Sequence, residues 1–252
     1  HRDLHLSIRR QRQMCIRDRS RIQQDLVDAG KFGRKSGQGF YNYSPGTETP
    51  DTEKLQECKP PDSIIIEGTE QLPESLVKML KAGNASIKST LGSGKIRLPE
   101  GGIVVLSNGK SSDDRCLENE DSVISLDLCL DYNHSPRVVL AVDSNCPENV
   151  LNKAVGLFQF FGKQVSLIKD IPGMVLTRTV AMLVNEASML VEEDVADTED
   201  INMALKKGVN YPLGSLEWGE LWGYNGVVET LENLFSEYGE RYRVSSWLQQ
   251  KE

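Results

Sequence analysis

The hydrophobic period of this chain changes once, at Asp170-Ile171-Pro172, and the change restricts the chain to two successive architectures. Before it, short apolar runs of strand length alternate with helical stripes. Residues 64–67, 103–106, 123–130, 137–142 and 165–168 read as strands. Residues 73–81, with Leu76, Met79 and Leu80, and 147–161, with Val150, Ala154, Leu157 and Phe158, read as amphipathic helices. Gly162 stops the second helix, and 109–121 reads as a polar exposed loop. Strands alternating with helices predict a parallel sheet. After Pro172 only helical stripes remain. Leu176, Val180, Leu183, Ala187, Leu190 and Val191 form one stripe. Residues 198–207 open on a capping Thr198 followed by acids and stop at Gly208. Val227, Val228, Leu231, Leu234, Phe235 and Tyr238 mark a further helix. The fold class is therefore α/β plus all-α.

Charge and composition exclude several roles. Net charge is −8 over 252 residues, so no broad basic face offsets repulsion from nucleic-acid phosphates. No apolar run approaches the roughly 20 residues that span a bilayer, and residues 1–20 lack the apolar core of a secretory signal. The five cysteines are scattered and form no CxxC pair. That usage favours reduced thiols in a cytoplasmic protein over a disulfide framework or a zinc site. No His/Asp/Glu cluster has metal-ligand spacing, so no metal is expected.

The ends of the chain differ from its middle. Residues 1–20 are Arg-rich and contain no Lys, unlike the rest. They read either as a basic tail or, because RQRQMCIRDRS resembles translated sequencing-adapter sequence, as a non-native segment. Residues 21–30 suit a short helix with Gly30 as its stop. The run Lys31-Phe32-Gly33-Arg34-Lys35-Ser36-Gly37-Gln38-Gly39-Phe40-Tyr41-Asn42-Tyr43 follows, and 45–62 is a Pro-rich linker.

Two nucleotide motifs fail on inspection. Leu91-Gly92-Ser93-Gly94-Lys95 resembles a P-loop, but Ser89 stands at the first Gly position and Ile96 replaces the Ser/Thr. A flexible turn is the better reading. After the first strand comes Gly68-Thr69-Glu70-Gln71-Leu72-Pro73, with one glycine where a dinucleotide fingerprint needs three. Glu70 would also repel a pyrophosphate, so no cofactor-binding residue is expected here.

The most specific signal is a linked set. Gly162-Lys163 is followed by Asp170-Ile171-Pro172-Gly173-Met174-Val175-Leu176-Thr177-Arg178, and then by Gly208-Val209-Asn210-Tyr211-Pro212-Leu213-Gly214. Read from the residues, a strand enters a long helix through an Asp-x-Pro-Gly turn, and further helices meet at a Tyr-Pro-x-Gly corner. The set resembles the L-3-hydroxyacyl-CoA dehydrogenase family, in its bacterial tandem 3-hydroxybutyryl- and 3-hydroxyadipyl-CoA dehydrogenase form. The run 31–43 resembles that family's closing signature. A closing signature ahead of a second sheet-plus-helix unit implies the C-terminal part of a duplicated enzyme. On that reading, 21–44 ends a first helical domain, 63–170 is a reduced Rossmann-like domain without a dinucleotide fingerprint, and 171–252 is a second helical domain.

The resemblance also implies a chemistry. The parent would oxidise a 3-hydroxyacyl-CoA to the 3-ketoacyl-CoA with NAD, in fatty-acid or aromatic-acid breakdown. A Glu-oriented His would serve as base, and an Asn at the start of the long helix would bind the substrate carbonyl. Here Thr177 stands at the Asn position and Ala141 at the Glu position. The His should precede the Glu by about a dozen residues; His134 stands seven before Ala141, in a turn, and reads as a surface histidine. The base–orienter pair is therefore missing, and no catalytic residue is expected in this chain. Arg34 and Lys35 could meet an acyl-CoA phosphate, or could complement a helix C-terminus. Trp218, Trp222 and Trp247 read as core or interface aromatics, and the acids between Glu192 and Asp200 as a solvated corner. Expected partners are the upstream catalytic half, acyl-CoA for the parent, and a further copy in a homo-oligomer.

Overall fold

The computed structural model describes residues 21–47, 55–83, 86–118 and 121–251. The suspect basic tail lies outside them. Two compact units divide the chain, with the boundary between Thr52 and Glu53.

The first unit holds helix α1 (Arg21–Asp28) and a closed hook. Gly30 ends α1 as expected. Its φ is 70°, and the amides of Gly30 and Lys31 donate back to the carbonyls of Val27 and Leu26. The hook is pinned by Gly33–Gln38 and Gln38–Asn42 bridges and by Ser36, whose hydroxyl accepts from Phe32 N and donates to Gln38 O. Phe32, Phe40 and Tyr41 remain more than half exposed.

The second unit opens with a seven-stranded sheet. Its strands are β1 (Ser63–Glu67), β2 (Ser86–Thr90), β3 (Lys95–Leu98), β4 (Gly102–Leu106), β5 (Ser122–Leu126), β6 (Arg137–Val142) and β7 (Gln164–Leu167). The order is β2-β1-β3-β4-β5-β6-β7. The sheet is mixed and not parallel: β1/β2, β4/β5 and β6/β7 run parallel, while β1/β3, β3/β4 and β5/β6 run antiparallel. The short turn at 91–94 allows no crossover helix between β2 and β3, so the chain reverses there. Neither strand was expected: Ser86-Ile87-Lys88-Ser89-Thr90 has one apolar residue, and Lys95-Ile96-Arg97-Leu98 alternates but spans only four residues.

Three helices accompany the sheet: α2 (Glu74–Lys81), α3 (Ser112–Leu117) and α4 (Glu148–Phe160). The period-2 alternation of β4 assigns its residues to opposite faces. Val104 joins Leu76 and Leu80 of α2 and Leu157 and Phe158 of α4 in the main core, whereas Ile103 and Val105 meet Cys116 of α3. Burying Leu157 or Phe158 stabilises the fold by about 1.5–3 kcal/mol each. Helix α3 replaces part of the expected polar loop. Its apolar content is too low to signal a helix, and its first turn is held by acceptors instead: Ser111 Oγ takes Asp114 N, and the Asp170 carboxylate takes Ser112 N and Asp113 N. Ahead of β1, Gln159 of α4 holds the extended segment at 55–62, accepting from Cys58 N and donating to Gln56 O.

The remainder is helical: α5 (Leu176–Glu192), α6 (Thr198–Gly208), α7 (Ser215–Trp222), α8 (Tyr224–Tyr238) and α9 (Ser246–Gln249). Val180, Val184 and Ala187 of α5 meet Leu216 of α7, Val227 and Leu231 of α8, and Leu248 of α9 in a second core. The expected α5 stripe is displaced, since Leu176 and Leu190 are 46% and 39% exposed while Thr177, Asn185 and Ser188 are buried. These polar groups are satisfied internally: Asn185 accepts from Ser245 N and donates to Arg243 O, and Ser188 meets Ser245. The α6 cap is Asp197 and not Thr198, because the Asp197 carboxylate accepts from Asp200 N. The helix runs through Gly208, and Asn210 takes the left-handed conformation at φ 57°. Glu192 is exposed, as expected, and also accepts from Ser246 N at the start of α9.

Candidate functional site

Helix α5 begins against the end of β5, and one buried carboxylate makes the junction. Strand β5 stops at Leu126, four residues before the expected end, because Asp127 turns away to meet the helix. Asp127 Oδ2 accepts from Val175 N (3.1 Å) and Leu176 N (2.8 Å). Its Oδ1 accepts from Thr177 N (2.9 Å), Thr177 Oγ1 (2.8 Å) and Leu128 N (2.9 Å). An anion at a helix N-terminus is favoured by the unpaired amides and the helix dipole. Val175 itself carries no side-chain cap, so a residue distant in sequence supplies it.

The clamp is fixed from behind as well. Asp127 N donates to Val139 O on β6, and Asp127 O accepts from the buried Tyr132 hydroxyl at 2.7 Å. Burial pushes the Tyr132 phenol well above its ordinary pKa, so it remains a donor. Thr177 is wholly buried; its hydroxyl donates to Asp127 and accepts from Leu128 N at 3.2 Å. Ala141, fully buried on β6, lies opposite Ser125 of β5. Its carbonyl accepts from Ser112 Oγ, which is also 2.9 Å from Ser125 Oγ.

The Asp127 carboxylate is fully engaged within the protein. A carboxylate has about four lone-pair directions, and Asp127 already receives five donors while being 2% exposed. The Thr177 hydroxyl is likewise engaged on both sides. His134 does not join them; its side chain is 88% exposed and its Nδ1 lies 2.7 Å from Asp131 Oδ2. That hydrogen bond holds the Asp131 carboxyl below its usual range. Asp127 went unnoticed in the sequence because a lone Asp after an apolar run carries no signature. Its spacing was the available signal, fourteen residues before Ala141 (141 − 127), close to the dozen expected for the family's base.

A cleft of about 950 Å³ opens beside the clamp, at the carboxyl ends of β4 and β5. Leu128, Leu176 and Val180 form one wall, and Trp218, Leu221 and Trp222 of α7 form another. Ser107, Asn108, Arg115 and Thr230 supply polar surface. Arg115 donates to Leu106 O, and desolvation lowers its guanidinium pKa. Trp218 and Trp222 thus line a cleft and also pack on the helical core, as does Trp247. Arg34 and Lys35 are exposed on the hook of the first unit, with Arg34 6.0 Å from the Tyr43 ring. Among the described residues no group of His, Cys, Asp and Glu could hold a metal, and Cys58, Cys116, Cys129 and Cys146 are free thiols. None of the described helices is long and apolar enough to cross a membrane.

A sheet without a nucleotide fingerprint, leading through an Asp-x-Pro-Gly turn into a helical domain, defines a class of domain pair that family comparison recognises. Residues 104–172 match the 3-hydroxybutyryl-CoA dehydrogenase reduced Rossmann-fold domain, and 173–251 match the 3-hydroxyacyl-CoA dehydrogenase C-terminal domain. The chain belongs to the 3-hydroxyacyl-CoA dehydrogenase family. A 3-hydroxyadipyl-CoA dehydrogenase of Escherichia coli K12 is 31% identical over 92% of this chain, which spans 43% of that protein. A 3-hydroxybutyryl-CoA dehydrogenase of Clostridioides difficile is 34% identical over 29% of this chain and 26% of its own length. The crystal structure of a 3-hydroxybutyryl-CoA dehydrogenase from Escherichia coli K12 superposes with a TM-score of 0.73 at 30% identity, again over 92% of this chain and 43% of that one. The chain therefore spans less than half the length of these relatives.

The family is NAD-dependent, but the first loop of this sheet does not fit a dinucleotide. Gly68 N is committed to Thr90 O, and a Cβ at Gly68 would lie 2.2 Å from Gly92 O. The glycine thus admits the β2–β3 turn, which covers the loop where a pyrophosphate would need bare backbone amides. Glu70 and Glu74 add like charge.

Proposed function

We propose that this chain is the C-terminal part of an NAD-dependent L-3-hydroxyacyl-CoA dehydrogenase of the cytoplasm, and that this part performs no catalysis itself. The observation that carries the reading is the Asp127–Thr177 clamp. It fills the place where the family's chemistry would need a free base and a free amide, while Ala141 removes the base's orienting partner. The carboxylate that could have served as base instead holds the sheet to helix α5. Oxidation of the 3-hydroxyacyl-CoA would then belong to the catalytic half of the parent enzyme, which would also supply NAD binding.

What this part contributes is structural: a second sheet-and-helix unit that completes the assembly around the catalytic half. The exposed Phe32, Phe40 and Tyr41 of the hook support a packing role, since a segment of this size buries too little of its own apolar surface to be stable alone. Calorimetric titration of the purified chain with NADH tests the non-catalytic reading. No heat of saturable binding is expected. Stoichiometric binding would refute it.

A further inference from the structure

The extended segment at 55–61 lies on helix α4, and two residues of α4 are shaped to receive it. Gly156 is buried in the middle of the helix, where a glycine weakens helical structure. A Cβ there would lie 2.5 Å from Lys59 O and 2.9 Å from Cys58 O, so the glycine admits the backbone of the segment. Gln159, one turn further on, grips the same backbone. Its Oε1 accepts from Cys58 N at 2.8 Å, and its Nε2 donates to Gln56 O at 3.0 Å. One side chain thus takes both a donor and an acceptor of an extended chain, as a neighbouring strand would.

The segment is stiff, yet lightly held. Pro60 and Pro61 fix their own φ, and each biases the residue before it towards extended backbone. Leu55 and Cys58 pack against the main core but stay only partly buried. Between the segment and the start of β7 a cavity of about 410 Å³ remains, lined by Leu55, Cys58, Pro60, Phe160 and Val165. A void on one side of a segment forfeits packing contacts there, and parts of a fold with few buried contacts open first.

We propose that residues 55–61 form a detachable strap, with Gly156 as its seat and Gln159 as its clasp, which leaves α4 while the sheet and helices stay folded. Docked, the strap fixes residue 55 as the point from which the chain runs back to the first unit. Released, it adds seven residues (55–61) to that connection, up to about 25 Å of extended chain. The connection between the units is therefore a tether of two lengths. This goes beyond the structural role above and does not depend on it.

Hydrogen exchange of the full chain, followed by mass spectrometry at single-amide resolution, tests the proposal on Cys58 N, the strap amide that Gln159 accepts. Cys58 should exchange at least about tenfold more slowly than an unstructured amide, and at least about tenfold faster than the amides of β6. Gln159→Ala should raise the Cys58 rate about three- to tenfold and leave the β6 rates unchanged. Gly156→Ala separates the strap from the helix beneath it. The added Cβ displaces Lys59, so Cys58 should again exchange faster, while α4 itself, rid of a mid-helix glycine, should exchange no faster than before. Three results would overturn the proposal: Cys58 exchanging as an unstructured amide, Cys58 exchanging only together with β6, or an unchanged Cys58 rate in a folded variant of either kind. Should both variants fail to fold, the Cys58 and β6 rates of the unaltered chain decide.

Discussion

Thr177 Oγ1 donates to Asp127 Oδ1 at 2.8 Å across a junction where both residues are almost completely buried. This bond joins the residue that follows β5, an interior strand, to the first turn of the longest described helix. Asp127→Ala would leave three helix N-terminal amides without their acceptor, whereas the Leu128 amide keeps Thr177 Oγ1. A buried group left unpaired costs about 1–3 kcal/mol, so a loss of roughly 3 kcal/mol or more is expected in urea denaturation. Thr177→Val, which removes one donor and one acceptor while Leu128 N keeps Asp127 Oδ1, should cost about 1–2 kcal/mol.

Arg178 follows the clamp by one residue and serves the same turn. Its guanidinium lies 4.7 Å from the Tyr238 ring centroid and 5.9 Å from that of Tyr242, and it donates to Pro172 O. Arg178→Lys keeps the charge but loses the planar stack. A destabilisation of about 1–2 kcal/mol is expected in thermal denaturation; an unchanged melting temperature would contradict the stacked arrangement.

Two glycines of the Tyr-Pro-x-Gly corner should respond in opposite ways. A Cβ at Gly214 would lie 2.2 Å from Asn202 Oδ1, the atom that accepts from Leu216 N, whereas a Cβ at Gly208 meets nothing within 4 Å. Gly214→Ala should destabilise the chain by more than about 1 kcal/mol. Gly208→Ala, inside α6, should be neutral or stabilise it by about 0.5–1 kcal/mol. Equal melting temperatures for the two variants would be the contrary result.

Cys146 sets an alkaline limit. Burial, reinforced by the nearby Asp143 carboxylate, pushes its thiol from 9.0 up to about 11. The unfolded thiol ionises first, so this contribution to stability is present below pH 9 and is lost as pH rises towards 11. Alkylation of Cys146 by iodoacetamide, followed by peptide mass spectrometry, should stay slow at pH 8 and accelerate only as pH approaches 11. Rapid modification at pH 8 would exclude a raised thiol pKa.

Much of this fold was legible where apolar periodicity was strong. Strand β6 and helix α4 stand where Val138, Leu140, Val150, Ala154 and Phe158 placed them. Helix α3 was hidden because it is polar and held by Asp170, far along the chain; strand β3 alternates buried Ile96 and Leu98 with Lys95 and Arg97 but is only four residues long. Thr177 was singled out in the sequence, but its partner was not. Asp127 has meaning only once β5 and α5 are adjacent, and no local pattern announces a cap supplied across 50 residues. Glu192 at the start of α9 shows the same limit: it read as solvated acid and serves as a cap 54 residues away.

The most direct measurement is the initial rate of NADH formation by the purified chain from NAD and L-3-hydroxybutyryl-CoA. A rate indistinguishable from the enzyme-free blank is expected, because the Asp127 carboxylate is committed to α5 and no other described group stands ready as base. Saturable turnover that Asp127→Asn abolishes would contradict the clamp as a purely structural device.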